Sequence, residues 1–454
     1  MNFENLIVMV KQIVVYYFFL LGSINLYAQQ YELIPINPDF DILIKYDIVL
    51  DKSHNLWVAT DKGVLEYKDK KWKLYSNNDI NFINITELFI DSKDRKWCIS
   101  YSHNPLSYKY LGGLFMINQQ GDIIDYSDNI ESVFINDIEE DNQGNIWIAT
   151  GRRLTGINNK KDHTFNTALK EIEGVPLTDL ISKKIAKNAS GGLYKFDGVT
   201  WQDYTSDGTM PIKFIDKIIK TKDDAIYFCE ARHGKERLVK YDGESFMDLS
   251  KKKDYPGDEI EDIITDYEGN VWFFTADNRL KIFKLDSNNS LSEIFKMNPY
   301  RLGYGKFYKF NGNIYMSYLG TFMAYDKQNK TWICPKKQTN QKKKRFIRDI
   351  APGADNTILI ADGEGIRIYK NGEFIETRLL KKIDIRVLYS IDKDNILVGT
   401  KENGLFLINR NKTTPISVDS NGQKMPNGYS TLKVIDNNIT YFNATNGILK
   451  VTTM

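Results

Sequence analysis

The residues best suited to contacting a ligand fall in a few irregular stretches of this chain. YSHNPLSYKYLG (101–112) holds Tyr101, His103, Tyr108 and Tyr110, and ARHGKER (231–237) holds Arg232 and His233. Arg152 opens a long stretch that also contains His163, and KKQTNQKKKR (336–345) contributes Lys343 and Arg345. A loop tyrosine offers a flat ring for stacking on a sugar or a partner, and a polar edge. Arginine and lysine pair with carboxylates or phosphates. A histidine in a cleft serves as a general base or a metal ligand. No His-x-x-x-His or comparable spacing supports a metal, so scattered histidines read first as surface residues. The lysine run 342–345 reads first as a solvated loop. There is no G-x-S-x-G, no H-E-x-x-H, no phosphate-binding glycine loop and no close carboxylate pair in a distinctive context. The candidates Tyr101, His103, Tyr108, Arg152, Arg232, His233, Lys343 and Arg345 are therefore assigned to binding. No catalytic residue, metal or cofactor is expected.

What holds these stretches in place is a repeat. DNQGNIWIAT (141–150) returns as DKSHNLWVAT (51–60), DSKDRKWCIS (91–100), TDYEGNVWFFT (265–275) and DKDNILVGT (392–400). The aromatic or apolar residue two places after the turn falls at Trp57, Trp97, Trp147, Tyr227, Trp272, Tyr315, Leu359, Leu397 and Thr440. The successive gaps are 40, 50, 80, 45, 43, 44, 38 and 43 residues. A period of about 40–45 residues rich in short strands is that of a propeller blade.

Each unit reads as four strands. An apolar strand such as EIEDIIT leads into the Asp-x-x-Gly-Asn turn, where Asp bonds its own backbone and Gly supplies positive φ. IWIAT follows, apolar on both faces as a strand sandwiched between blades must be. A third strand, for example GGLYKFD (191–197), RLVKYD (237–242) or GIRIYK (365–370), then turns into an outer one. The turns at Asp197-Gly198, Asp242-Gly243 and Asn371-Gly372 are expected to be primed hairpins. A lone four-stranded sheet cannot bury both faces, so the unit recurs until the ring closes. The last unit ends in GILKVTTM, a third strand, and YELIPIN (31–37) can supply its missing outer strand. The expected fold is all-β: a single β-propeller of four-stranded blades, eight or nine in number with nine preferred, closed by the N-terminal strand.

The motif D-x-x-G-N-[IL]-W-[IV]-A-T followed by G-[LV]-x-x-[YF] resembles the two-component regulator propeller repeat. The resemblance covers residues 42–454, strongest in units 1, 3 and 5. It implies a periplasmic sensor propeller of the kind found on hybrid histidine kinases of Bacteroidetes, often tied to glycan sensing. No kinase, receiver or DNA-binding region accompanies the repeats in this sequence, so only the propeller part is implied. D-N-Q-G-N is superficially like a calcium loop but lacks the alternating acids and distal Glu of an EF-hand, and reads as a structural turn.

The bulk numbers agree with an exported binding module. Lys+Arg at 61 against Asp+Glu at 59 leave a formal charge of +2, which gives no case for nucleic acid. The apolar run Ile13–Ile24 after Lys11, with small Ala28 following, is too short to span a bilayer and reads as a secretory signal, residues 1–28, cleaved after Ala28. The propeller occupies 29–454, with no transmembrane segment in the mature chain, and is expected in the periplasm or outside the cell. Cys98, Cys229 and Cys334 lie in strand-like stretches and read as buried thiols, an odd number that cannot all pair. In a four-stranded blade the second-to-third loops and the inter-blade connections share one face. The insertions 101–112 and 151–190, the loop 231–237 and the run 336–345 all belong to it, and long loops on one face commonly bind. His54 belongs to the other, uniform face. The expected function is non-enzymatic binding of an oligosaccharide or a membrane signalling protein through the long-loop face, as a sensor or accessory module. Two alternatives stay open. One is a carbohydrate-active hydrolase or lyase, since a propeller can gather catalytic residues from distant blades, with His103 and His233 its first suspects. The other is a scaffold of a cell-surface assembly.

Overall fold

The computed structural model describes residues 30–454 apart from 78, 81, 102–111, 131, 133, 152–190, 231–236, 258–259, 276–278, 298–304, 319, 336–345, 411, 437 and 454. Its strands form nine antiparallel sheets of four strands each. Blade 1 runs Lys45–Leu50, Leu56–Thr60, Gly63–Lys68, Lys71–Tyr75, and the next seven blades follow the same chain order. Blade 9 takes Tyr429–Asp436, Ile439–Ala444 and Gly447–Thr452 from the C-terminal end, and its outer strand is Gln30–Pro35. The register of that clasp runs from Gln30 opposite Thr452 to Pro35 opposite Gly447. The preferred count of nine and the N-terminal closure are both realised.

The second strand of each blade explains why the ring must close. Every residue of Leu56–Thr60, Ile146–Thr150 and Val271–Thr275 is buried. Alternate side chains leave a strand on opposite faces. Trp57 and Ala59 pack toward blade 2 with Phe82, Leu88 and Phe115, while Leu56 and Val58 pack toward blade 9 with Ile34 and Ile448. The same division repeats around the ring, giving nine apolar cores, one at each interface. Cys98 and Cys229 sit in two of these cores as buried thiols, and Cys334 is half-buried. Burial pushes the Cys98 thiol well up from its ordinary pKa.

The repeated turn owes its sequence to one carboxylate. Asp141 Oδ1 accepts the N–H groups of Gln143 and Asn145, and Oδ2 accepts Asn145 Nδ2 and Trp147 Nε1, all within 2.8–3.0 Å. Asp51 and Asp266 do the same with Asn55 and Trp57, and with Asn270 and Trp272. In blade 2, where Arg95 replaces the asparagine, its Nε donates to Asp91 at 2.6 Å. The motif is thus a polar latch over a buried indole, as the reading of a structural turn expects.

One expectation about turns needs correction. Asn371-Gly372 is a two-residue primed turn, with φ positive at both positions and Lys370 paired to Glu373. Asp197-Gly198 and Asp242-Gly243 are not the central pair of theirs: Asp197 N donates to Thr200 O at 3.2 Å and Asp242 N to Ser245 O at 3.4 Å, so Gly198-Val199 and Gly243-Glu244 make the turns, with positive φ at the glycine only. Here the Asp carboxylate captures the loop: Asp197 accepts Val199 N, Thr200 N and Thr200 Oγ1. An Asx turn of this kind places the aspartate just before the two-residue turn rather than inside it.

Candidate functional site

The antiparallel order of each blade sets two faces. The strand ends that flank 102–111, 152–190, 231–236 and 336–345 all lie on the face of the inter-blade connections. Tyr101 is the last residue of the strand Lys96–Tyr101 and pairs with Gly112, so the lengthened loop begins one residue later than the sequence implies. His103, Tyr108, Arg152, Arg232, His233, Lys343 and Arg345 lie outside the described residues, as do residues 1–29 with the expected signal segment. On this same face the described connections expose apolar side chains. Leu43 and Ile44 are 78% and 48% exposed between blades 9 and 1, Phe346 51% between blades 6 and 7, and Val418 54% between blades 8 and 9. The connection holding Leu43 and Ile44 is fixed, since both their N–H groups donate to Asp61 Oδ1 at 3.0 and 2.9 Å.

A second feature, absent from the sequence reading, lines the central channel. The first strands of most neighbouring blades pack on one another around the axis. One channel position recurs in all nine, opposite the residue two places after the tryptophan-type position. It holds Asp47, Glu87, Asp137, Lys217, Asp262, Lys306, Asp349, Val387 and Lys433 in ring order. The four aspartates stitch blades together. Asp47, Asp137, Asp262 and Asp349 each accept a backbone N–H of the next blade, from Leu88, Ile218, Phe307 and Leu388, at 3.1, 2.8, 2.7 and 2.9 Å. Lys217 pairs with Asp262 at 2.9 Å, and Lys433 reaches past apolar Val387 to Asp349 at 2.6 Å.

Blades 1 to 3 form the acidic sector of this ring. Burial, with the charges of Asp137 and Asp47 added, pushes the Glu87 carboxyl up to about 8. Burial pushes Asp137 up to about 6 against the pull of the Ile218 N–H and Lys217, and raises Asp47 as well. Glu87 is therefore the carboxyl of this ring that burial and its acidic neighbours most favour in the protonated form. The signal for this ring was in the sequence: in seven of the units carrying a charge at this position or Val387, the residue stands ten places before the repeat's tryptophan-type residue. His54 takes no part in it. Its Nδ1 lies 2.5 Å from Asp436, joining the turns of blades 1 and 9 on the opposite face. Among the described residues, no group of three His, Cys, Asp or Glu is placed to hold a metal ion, and no helix is long and apolar enough to cross a membrane.

Comparison with known proteins bears on the repeat more than on the role. The family model described as two component regulator propeller matches residues 129–152, the inner part of blade 3. No curated protein matches the chain. Among solved structures, a catalytically inactive virginiamycin B lyase from Staphylococcus aureus with quinupristin aligns at TM-score 0.41 and 13% identity, over 94% of this chain and 100% of that one. The extracellular domain assigned to a hybrid two component system of B. thetaiotaomicron aligns at 0.39 and 13%, over 93% and 60%. PorZ, a surface component of the type-IX secretion system of Porphyromonas gingivalis, aligns at 0.36 and 12%, over 90% and 68%. At such scores and identities none of these likenesses speaks to ligand or activity. The latch-and-strand repeat of blade 3 is where sequence, structure and family model coincide: the chain is a nine-bladed propeller whose residues 129–152 match the two component regulator propeller repeat.

Proposed function

We propose that this chain is an exported, non-enzymatic binding module whose connection face takes a glycan-like ligand or a protein partner. It would serve as a sensor or accessory component of two-component-type signalling. The observation that carries this reading is the one-sidedness of the ring. The long chain intervals start and end on one face, where Leu43, Ile44, Phe346 and Val418 are exposed, while Val199 is exposed in a turn of the other. Exposed apolar residues beside long loops are the usual makings of an interaction surface. Deleting residues 152–188 tests it: the ring should still fold, because Thr150 and Gly192 remain paired, while ligand or partner binding is lost. Binding that survives the deletion overturns the assignment.

A second reading, a carbohydrate-active hydrolase or lyase working at the channel, is favoured by one specific observation. Glu87 and Asp137 sit in the same wall with pKa values of about 8 and about 6, a separation of the sort that divides acid from base. Turnover of a polysaccharide that disappears in Glu87→Gln would move the proposal from binding to catalysis.

A further inference from the structure

Between blades 5 and 6 the uniform face departs from the Asp-x-x-Gly-Asn turn. Where neighbouring blades keep the longer turn, as in blades 1 and 2 or 3 and 4, an aspartate of one turn accepts from the other. Asp94 accepts Lys52 N across the first interface at 3.0 Å, and Asp224 accepts Asn142 N across the third at 3.1 Å. Blade 6 replaces this turn by a two-residue hairpin, Asn311-Gly312, with positive φ at both positions and Phe310 paired directly to Asn313. In place of an aspartate like Asp94 or Asp224, blade 6 sends Lys309 across, its Nζ donating to Asp266 O at 3.4 Å. The space left is a cavity of about 230 Å³ lined by Tyr267, Glu268 and Lys284 of blade 5 and Asn313, Tyr325 and Lys330 of blade 6, with Lys327 at its rim.

The chemistry of the lining is mixed in a particular way. The carboxylates nearest to it are already engaged: Asp266 by Trp272 and Asn270, and Asp326 by Gln328 N and Asn329. Glu268 lies 3.9 Å from Lys327. Lys284 stands over the Trp272 ring, and no described acid pairs with Lys330 at ion-pair distance. Counting the lining groups, three lysines face two acids. Asn313 is fixed by its Nδ2 donating to Tyr325 O at 2.9 Å, and its Oδ1 is buried without a hydrogen-bond partner. Tyr267 is 37% exposed with Lys309 Nζ 4.8 Å from its ring centroid, and Tyr325 is half-buried, so the cavity presents part of each aromatic ring.

We infer that this cavity is a binding site for a single sugar ring bearing a carboxylate, a uronate. A pyranose ring matches aromatic walls with its C–H faces. The carboxylate answers the lysine excess, with ammonium groups as donors. The volume lies below the roughly 300–1,000 Å³ of pockets that enclose drug-sized ligands, which fits one ring rather than a chain. The site is on the face opposite the long connections and does not depend on the function proposed for them.

Calorimetric titration of the purified protein with D-galacturonate and D-glucuronate, against D-galactose and D-glucose, tests it. At least one uronate should bind saturably, and its neutral counterpart at least tenfold more weakly. Tyr267→Ala and the double variant Lys327→Gln/Lys330→Gln should each weaken uronate binding at least tenfold with the melting temperature unchanged. The 152–188 deletion should leave it intact, which separates this site from the connection face. Absence of saturable uronate binding, equal binding of the neutral sugars, or affinities unchanged in both variants would each overturn the inference.

Discussion

Glu87 offers a direct test of how the channel wall is built. Its carboxyl rises from the usual 4.5 to about 8 because folding buries it between blades and beside Asp137 and Asp47. In the unfolded chain the proton leaves near 4.5, whereas the folded ring keeps it until about 8. The stability that this group contributes is therefore complete below pH 4.5 and is lost as pH rises toward 8. Each pH unit in that window removes about 1.4 kcal/mol, so the full loss approaches about 5 kcal/mol, with relaxation of the wall reducing it to about 2–4 kcal/mol. Glutamine keeps the shape and does not titrate. For a ring of this size about 1 kcal/mol corresponds to about 1 °C in melting temperature. Thermal melts of wild type and Glu87→Gln between pH 5 and 8.5 should therefore coincide at the acid end and diverge with pH. The variant should melt about 2–4 °C higher at pH 8 and above. A difference that is flat across pH, or that closes as pH rises, would refute the view that burial and neighbouring carboxyls hold the proton on Glu87.

Two further substitutions probe the latch and the clasp. Asp141→Ala removes the acceptor for the wholly buried Trp147 indole and for two turn N–H groups, and should cost about 2–4 kcal/mol in chemical unfolding. Trp147→Phe in the same background should add less than it does alone, because the unpaired indole is then gone. Ile34→Ala opens a cavity in the core between blades 9 and 1, where Ile34 is 3% exposed. It should cost about 2–4 kcal/mol although the residue lies only four places from the first described one. A negligible effect would mean that the clasp is not what closes the ring.

The blades were legible because each interface needs the same solution. A buried indole, a carboxylate to satisfy it and a strand apolar on both sides leave one motif at nearly constant spacing, even where Leu359, Leu397 or Thr440 replaces the aromatic residue. Turn geometry was less legible. An Asp-Gly pair serves a primed hairpin or an Asx-capped loop equally well, and the choice rests on Thr200 and Ser245, whose backbone and side chains the aspartate captures. The channel ring escaped notice because its members differ in charge: Asp47 and Lys217 occupy equivalent places, and only strand register reveals it. The cavity between blades 5 and 6 has a sequence signal in retrospect, the shortening of Asp-x-x-Gly-Asn to Asn-Gly-Asn at 311–313. The shared face of the long connections followed from strand order alone. The side chains first proposed for binding fall in intervals that the repeat does not constrain, since no neighbouring blade needs them.

The most direct test of the binding proposal is a thermal-shift screen of residues 29–454 against oligosaccharides and polysaccharides, with mass spectrometry of each supernatant and the 152–188 deletion run in parallel. The proposal predicts a glycan that raises the melting temperature, is recovered intact, and has no effect on the deletion variant. A glycan recovered cleaved, or one that stabilises the deletion variant equally, would contradict it.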